Sequence, residues 1–251
     1  MAEVAGYLWQ RGWAERNAGN ISVSLVDLRP SDLPDDFQPF FISLPESFPD
    51  VAGMSFIISA TNKRMRDMAR QPMKNAIIIR ITDDGNGYNI ISHFGKTELR
   101  PTSELYTHLA VHSMIARRKS PERVVMHTHV TELAALTQLR EFADEKKLNR
   151  ILWSMHPETR IFVSAGVGFV PYMLPGTINA GEATVRALEN HQAAIWEKHG
   201  LFAIGGNLQE TFDIADMLAK SASIYFMCHS SGQEPEGLTD SQIDELGKMK
   251  F

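Results

Sequence analysis

Two apolar runs, Ala76 to Thr82 and Tyr88 to Ser92, flank Asp83-Asp84-Gly85-Asn86-Gly87. Gly, Asn and Asp tolerate the left-handed backbone that a tight turn needs, so this segment predicts a β-hairpin and an antiparallel seam. Further strands are predicted at Ile21-Ser-Val-Ser-Leu, Phe40 to Ile42, Phe56 to Ile58 and Val124 to Val130. Ile161 to Val163, Gly168 to Val170, Ala193 to Trp196 and Leu201 to Ile204 complete that set. The first of these alternates apolar and polar residues, as a half-buried strand should. Helices are predicted over the first fourteen residues, from Pro101-Thr102-Ser103 to about Arg117, and over Glu132 to Leu139 with Thr131 as cap. Others cover Leu152-Trp153, Thr177 to His191 and Leu208 to about His229, and a Pro- and Asp-rich loop runs from Arg29 to Pro39. Strands in runs with helices interspersed predict an α/β fold, a mixed and mainly antiparallel sheet packed between helices. No Pro/Gly/Ser linker divides the 251 residues, so 1–251 is expected to form one domain.

Composition narrows the class of function. A net charge of −5 argues against a broad nucleic-acid face, because phosphate backbones need clustered Lys and Arg. One local site for a small phosphorylated ligand stays open, since it needs only a few donors. The lone Cys228 makes no internal disulfide, which fits a reducing cytosol. The N-terminus has no basic region followed by a long apolar stretch, and the apolar run from Ile161 to Leu174 is interrupted by Gly166, Gly168 and Pro171. A cytoplasmic protein with no membrane partner is expected.

The nine histidines carry the chemistry. His127-Thr128-His129 falls in a predicted strand, where side chains two apart share a face and two imidazoles can converge on one ion. His199, followed by Gly200 between two short strands, is the natural third ligand, leaving a position open for a substrate oxygen. The alternative is a hydrogen-bonded core pair, though unpaired imidazoles among apolar neighbours are costly. His108 and His112 are a rival pair at helical i, i+4 spacing, but no Glu follows His108 as in H-E-x-x-H, and they read as part of a helix face.

Three segments offer donors to an anion: Asn17-Ala18-Gly19-Asn20, Ser59-Ala60-Thr61-Asn62-Lys63, and Thr102-Ser103 at a helix start. Each can equally be a turn or a cap; their number is what suggests a phosphorylated substrate. Glu104 reads either as a first-turn acid favoured by the helix dipole or as a general base. Glu158, in His156-Pro157-Glu158-Thr159, reads as a loop acid with or without a role.

Several blocks together resemble a known family. They are Gly12-Trp-Ala-Glu-Arg-Asn-Ala-Gly-Asn20, Pro101-Thr-Ser-Glu-Leu105, His127-Thr-His129, Val170-Pro-Tyr-Met-Leu-Pro-Gly-Thr177 and His199-Gly-Leu-Phe202. Glu210-Thr-Phe212, leading into Lys220-Ser-Ala222, extends the match. The pattern is similar to the rhamnulose-phosphate branch of the zinc-dependent class II aldolases, a superfamily that also holds fuculose-phosphate aldolases and ribulose-phosphate 4-epimerases. The resemblance implies the class II aldolase/epimerase fold, one zinc per subunit on His127, His129 and His199, and Glu104 as acid–base group. It implies Glu158 as a second acid reaching a neighbouring subunit's site, and Asn17, Gly19, Asn20, Thr61, Asn62, Thr102 and Ser103 around the substrate and its phosphate. It further implies a C4 homotetramer that reversibly cleaves L-rhamnulose 1-phosphate to dihydroxyacetone phosphate and L-lactaldehyde. A fuculose-phosphate aldolase, a ribulose-phosphate epimerase and a catalytically inactive interaction module of the same fold remain as alternatives. Where the family has Thr-Gly-Ser-Gly, this chain has Ser59-Ala60-Thr61-Asn62, and Ala18 stands where a second Gly is common.

Overall fold

In the computed structural model, which describes residues 1–25, 28, 40–92 and 98–249, nine strands form one sheet. In chain order they are β1 (Asn20–Ser24), β2 (Phe40–Ser43), β3 (Ser55–Ser59), β4 (Ala76–Ile81), β5 (Gly87–Ile90), β6 (Val124–Thr128), β7 (Val167–Val170), β8 (Ala193–Trp196) and β9 (Gly200–Gly205). Across the sheet the order is β2-β5-β4-β3-β1-β6-β9-β8-β7, and only the β7–β8 pair is parallel. The hairpin signal at 83–87 joins β4 to β5 as expected, with Arg80 opposite Asn89. Antiparallel neighbours can be joined by such tight turns, whereas the parallel pair needs a crossover, supplied by α7 (Ile178–Leu188). Thr177 starts that helix by accepting the Ala180 N–H on its hydroxyl.

The sheet is covered on both faces, and residue parity says by what. Val124, Met126, Ile195, Leu201 and Ala203 pack in one cluster with α1 (Ala2–Gln10), α4 (Thr131–Leu136), α5 (Glu145–Met155) and α8 (Leu208–Ser230). Their chain neighbours Val125, Ala194, Trp196, Phe202 and Ile204 face the other way, against α3 (Leu105–Arg117) and α7. The period-two alternation of a strand produces this division. Because both faces are buried, β6, β8 and β9 lack exposed positions altogether. Burial on both faces also corrects the expectation for β1, whose polar Ser22 and Ser24 lie beneath α3 rather than in water.

Several boundaries differ from expectation. The first helix stops at Gln10; Gly12, at φ +75°, turns the chain so that Trp13 and Ala14 are buried and the Trp13 carbonyl is spent on β6. Ile161-Phe162, expected in a strand, belongs to α6 (Pro157–Phe162), with Val163 as its C-cap. Pro157 presets the first turn, and the Thr159 hydroxyl ties the helix to Met217 and Ser221 of α8. A three-residue apolar run carries too little periodicity to separate the two states. Thr131 is the first residue of α4 rather than its cap, because buried Val130 already makes the turn. Helix α3 begins at Leu105 because Pro101 still bridges Ala60, and the Thr102 N–H still bonds the Ser59 carbonyl. The expected loop from Arg29 to Pro39, like His93, lies outside the described residues. No helix among the described residues is long and apolar enough to cross a membrane.

Candidate metal centre and active site

Strand β6 carries His127 on its α3 side, opposite Asn20 of β1 and Phe202 of β9. The ring stacks on Phe202 at a centroid distance of 4.5 Å. Its Nδ1–H donates to the Leu201 carbonyl at 3.1 Å, which leaves Nε2 buried with no hydrogen-bond partner among the described residues. Buried polar atoms are rarely left so, and a lone pair aimed at nothing is what a ligating imidazole offers. β6 ends at Thr128, and His129 follows it, its N–H and the Thr128 hydroxyl both bonded to the Trp13 carbonyl. The same tether puts Glu15 beside His129, whose Nδ1 lies 2.7 Å from the carboxylate. This fixes the tautomer and leaves Nε2 facing inward.

His199 reaches the same point from the turn between β8 and β9. Gly200 is required there: a Cβ would collide with the Thr128 carbonyl. The Nε2 atoms of His199 and His129 are 3.0 Å apart, and ligand atoms of the three histidines all lie within 4.8 Å of one another. Three imidazoles in this arrangement fit a borderline-soft divalent ion with a coordination position to spare. Burial pushes the pKa of His127 well below that of a free imidazole, with the charges of His129 and His199 adding to it. Burial also lowers that of His199.

Glu104 occupies the N-cap position of α3 with only 6% of its surface exposed, and its Oε2 is 3.7 Å from His127 Nε2. Burial raises its pKa, against an opposing hydrogen bond from Asn20 and the charges of His199 and His129. A carboxyl group held this way is suited to exchanging a proton. Ser59, Thr61, Asn62, Thr102, Ser103, Asn17, Gly19 and Asn20 line, with Glu104 and the three histidines, one cleft of about 230 Å³. Larger clefts occur elsewhere, such as one of about 520 Å³ lined by Glu145, Arg150 and Asp240, but the three-histidine cluster is in the smaller one. Gly19, at φ +79°, lets the 17–20 loop close over the His127 carbonyl.

The profile of the family described as Class II Aldolase and Adducin N-terminal domain matches residues 1–226. The chain belongs to that family. The rhamnulose-1-phosphate aldolase of Bacteroides thetaiotaomicron is 42% identical over 248 residues, covering 98% of this chain and 91% of that protein. The crystal structure of a sugar-phosphate aldolase from Thermotoga maritima superposes with a TM-score of 0.81 at 32% identity, covering 94% of this chain and 96% of that one. An L-fuculose 1-phosphate aldolase shares the fold, with a TM-score of 0.63 at 18% identity and coverage of 98% and 92%.

Within this class II aldolase, Glu158 lies away from the cleft of its own chain, and Asn20 lines the cleft with its amide already engaged. Glu158 is not among the cleft's lining residues; it sits in the first turn of α6, half exposed, 3.0 Å from His156. Asn20 is not free to hold a phosphate with its whole amide, because its Nδ2–H donates to Glu104 Oε2 at 2.7 Å and its Oδ1 bonds His108 Nε2. Sequence reasoning passed over His108, His112, Ser22 and Glu15 as site residues. A signal existed: Glu104, His108 and His112 recur every fourth residue, which puts them on one side of a helix.

Proposed function

We propose that this class II aldolase reversibly cleaves L-rhamnulose 1-phosphate to dihydroxyacetone phosphate and L-lactaldehyde, with one zinc ion on His127, His129 and His199. The observation that carries the reading is the meeting of three converging imidazoles with a buried carboxylate in one cleft. The preference for rhamnulose over fuculose phosphate rests on 42% identity to the Bacteroides enzyme against 18% to the fuculose aldolase.

When bound, zinc would act as a Lewis acid for the ketone oxygen and its neighbouring hydroxyl, favouring the anion left by carbon–carbon cleavage. The chain supplies the rest. Glu158 of a neighbouring subunit takes the proton from the hydroxyl beyond the scissile bond, the bond breaks, and its electron pair moves onto the ketone side. Glu104 then delivers a proton to the carbon next to the ketone. Thr61, Asn62, Thr102 and Ser103, with Asn17 and the Gly19 backbone, hold the phosphate and the substrate hydroxyls. Glu158 acts on the aldehyde oxygen in a neighbouring subunit of a C4 homotetramer, which accords with its exposed position away from its own cleft. The enzyme works in the cytoplasm.

Zinc-loaded protein offered rhamnulose, fuculose and ribulose phosphates should release dihydroxyacetone phosphate fastest from the first. Epimerised ribulose phosphate with no aldehyde released, or no dihydroxyacetone phosphate from any of the three, overturns the assignment.

A further inference from the structure

Strand β1 places Asn20 and Ser22 on the face covered by α3, where Glu104, His108 and His112 stand one turn apart. The side chains join in one buried chain of hydrogen bonds. Asn20 Nδ2 donates to Glu104 Oε2 at 2.7 Å, and Asn20 Oδ1 bonds His108 Nε2. Ser22 Oγ lies 2.7 Å from His108 Nδ1 and 2.8 Å from His112 Nε2. We infer that His108, set by Ser22 and His112, is a positioning residue for Glu104 and acts through the Asn20 amide. The inference rests on the reading of Glu104 as the proton-transfer group.

The direction of each bond follows from what each atom can do. Asn20 turns its N–H toward Glu104 and therefore its carbonyl toward His108, the orientation that serves Glu104 in its proton-accepting, ionised form. That carbonyl only accepts, so His108 carries its proton on Nε2. Both rings are neutral, because full burial holds the His112 pKa down to about 3 and that of His108 well below the usual value. His108 Nδ1 is then an acceptor, and the Ser22 hydroxyl gives it its single proton. Ser22 in turn accepts from His112 Nε2–H. The second histidine thus has a purpose: by filling the Ser22 lone pair it leaves that hydroxyl one direction in which to donate.

Stability alone does not call for this arrangement. Apolar side chains of equal volume beneath a helix are commonly as stable as a buried polar network or more so. What the network adds is orientation. An amide with no partner on its oxygen can rotate, and a rotated Asn20 presents Glu104 with an oxygen that repels it.

The test compares zinc-loaded wild-type protein with His108→Leu, His108→Gln and Ser22→Ala by crystallography, zinc content and steady-state cleavage of rhamnulose 1-phosphate. In His108→Leu the Asn20 amide should turn and the Glu104 carboxylate move by about 1 Å, with kcat about 100-fold lower. KM should stay within about threefold, because substrate contacts are untouched, and zinc should remain stoichiometric. His108→Gln, whose Nε2–H can occupy the same donor position, should recover kcat to within about fivefold of wild type. Ser22→Ala should lower kcat about tenfold with zinc retained, and it decides the matter where the leucine variant fails to fold.

An unmoved Glu104 with kcat within about threefold of wild type in the leucine or alanine variant overturns the inference. So does a glutamine variant as impaired as the leucine one, or loss of zinc in step with activity. If wild-type protein releases no dihydroxyacetone phosphate, the substrate reading has failed. The position of Glu104 in the variant structures still decides the positioning role.

Discussion

Two groups of histidines lie on either side of Asn20, and their spacings make both plausible metal ligands. His127 and His129 have the i, i+2 spacing of a strand; His108 and His112 have the i, i+4 spacing of a helix. Both His127 and the helical pair are buried. The difference lies in what surrounds their nitrogens. Ser22 and Asn20 engage both nitrogens of His108 and the Nε2 of His112, whereas His127 keeps a buried Nε2 with no partner among the described residues. A ligating imidazole is therefore marked less by its spacing than by a nitrogen that the protein declines to satisfy. The helical pair has spent that capacity on holding another side chain.

The contrast can be broken by exchanging the fates of the two groups. His127→Ala should abolish stoichiometric zinc and lower kcat/KM by at least about 10³-fold, whereas His112→Leu should leave zinc content unchanged by atomic absorption. Zinc loss from the second variant would erase the distinction. A smaller effect should appear in the pH dependence of stability. The unfolded chain protonates His112 near 6.5, but the folded protein resists until about 3, so stability falls as pH drops through that window. Between pH 7 and pH 5 this single ring should cost about 2 kcal/mol, and denaturant titrations of His112→Leu should show a correspondingly flatter slope. Identical slopes would mean that the helical pair is not held neutral. Smallest of all, Glu15→Gln should weaken zinc about tenfold in competition with a chelator, since the carboxylate orients His129 from outside the cleft. Unaltered zinc affinity would confine Glu15 to the surface.

The same contrast explains what could be read from the residues alone. The hairpin, the crossover helix and most strands were legible because local turn chemistry and period-two burial dictate them. The His127, His129 and His199 set was legible because strand spacing and a following glycine are local features. The polar side of β1 was not. Ile21-Ser-Val-Ser-Leu reads as a strand with one face in water, and only the packing of α3 over that face turns its serines inward. Asn20 lines the cleft as a substrate contact would, but nothing nearby in sequence announces His108 and Glu104 as its partners. Ile161-Phe162-Val163 failed for a different cause: a short apolar run acquires its state from the proline before it and from the α8 contacts of Thr159.

His199 lies seventy positions after His129 in the chain, and it meets the other ligands only because β9 pairs with β6 near the middle of the sheet. Pairings between segments so distant in sequence are slow to form, because the chain must close a long loop before any contact rewards it. The three-histidine pocket therefore exists only once that long-range pairing is in place. An ion that recognises only the completed pocket draws the equilibrium toward molecules that have finished. For this chain, metal supply in the cell would act as a quality check on newly made protein as well as a requirement for turnover.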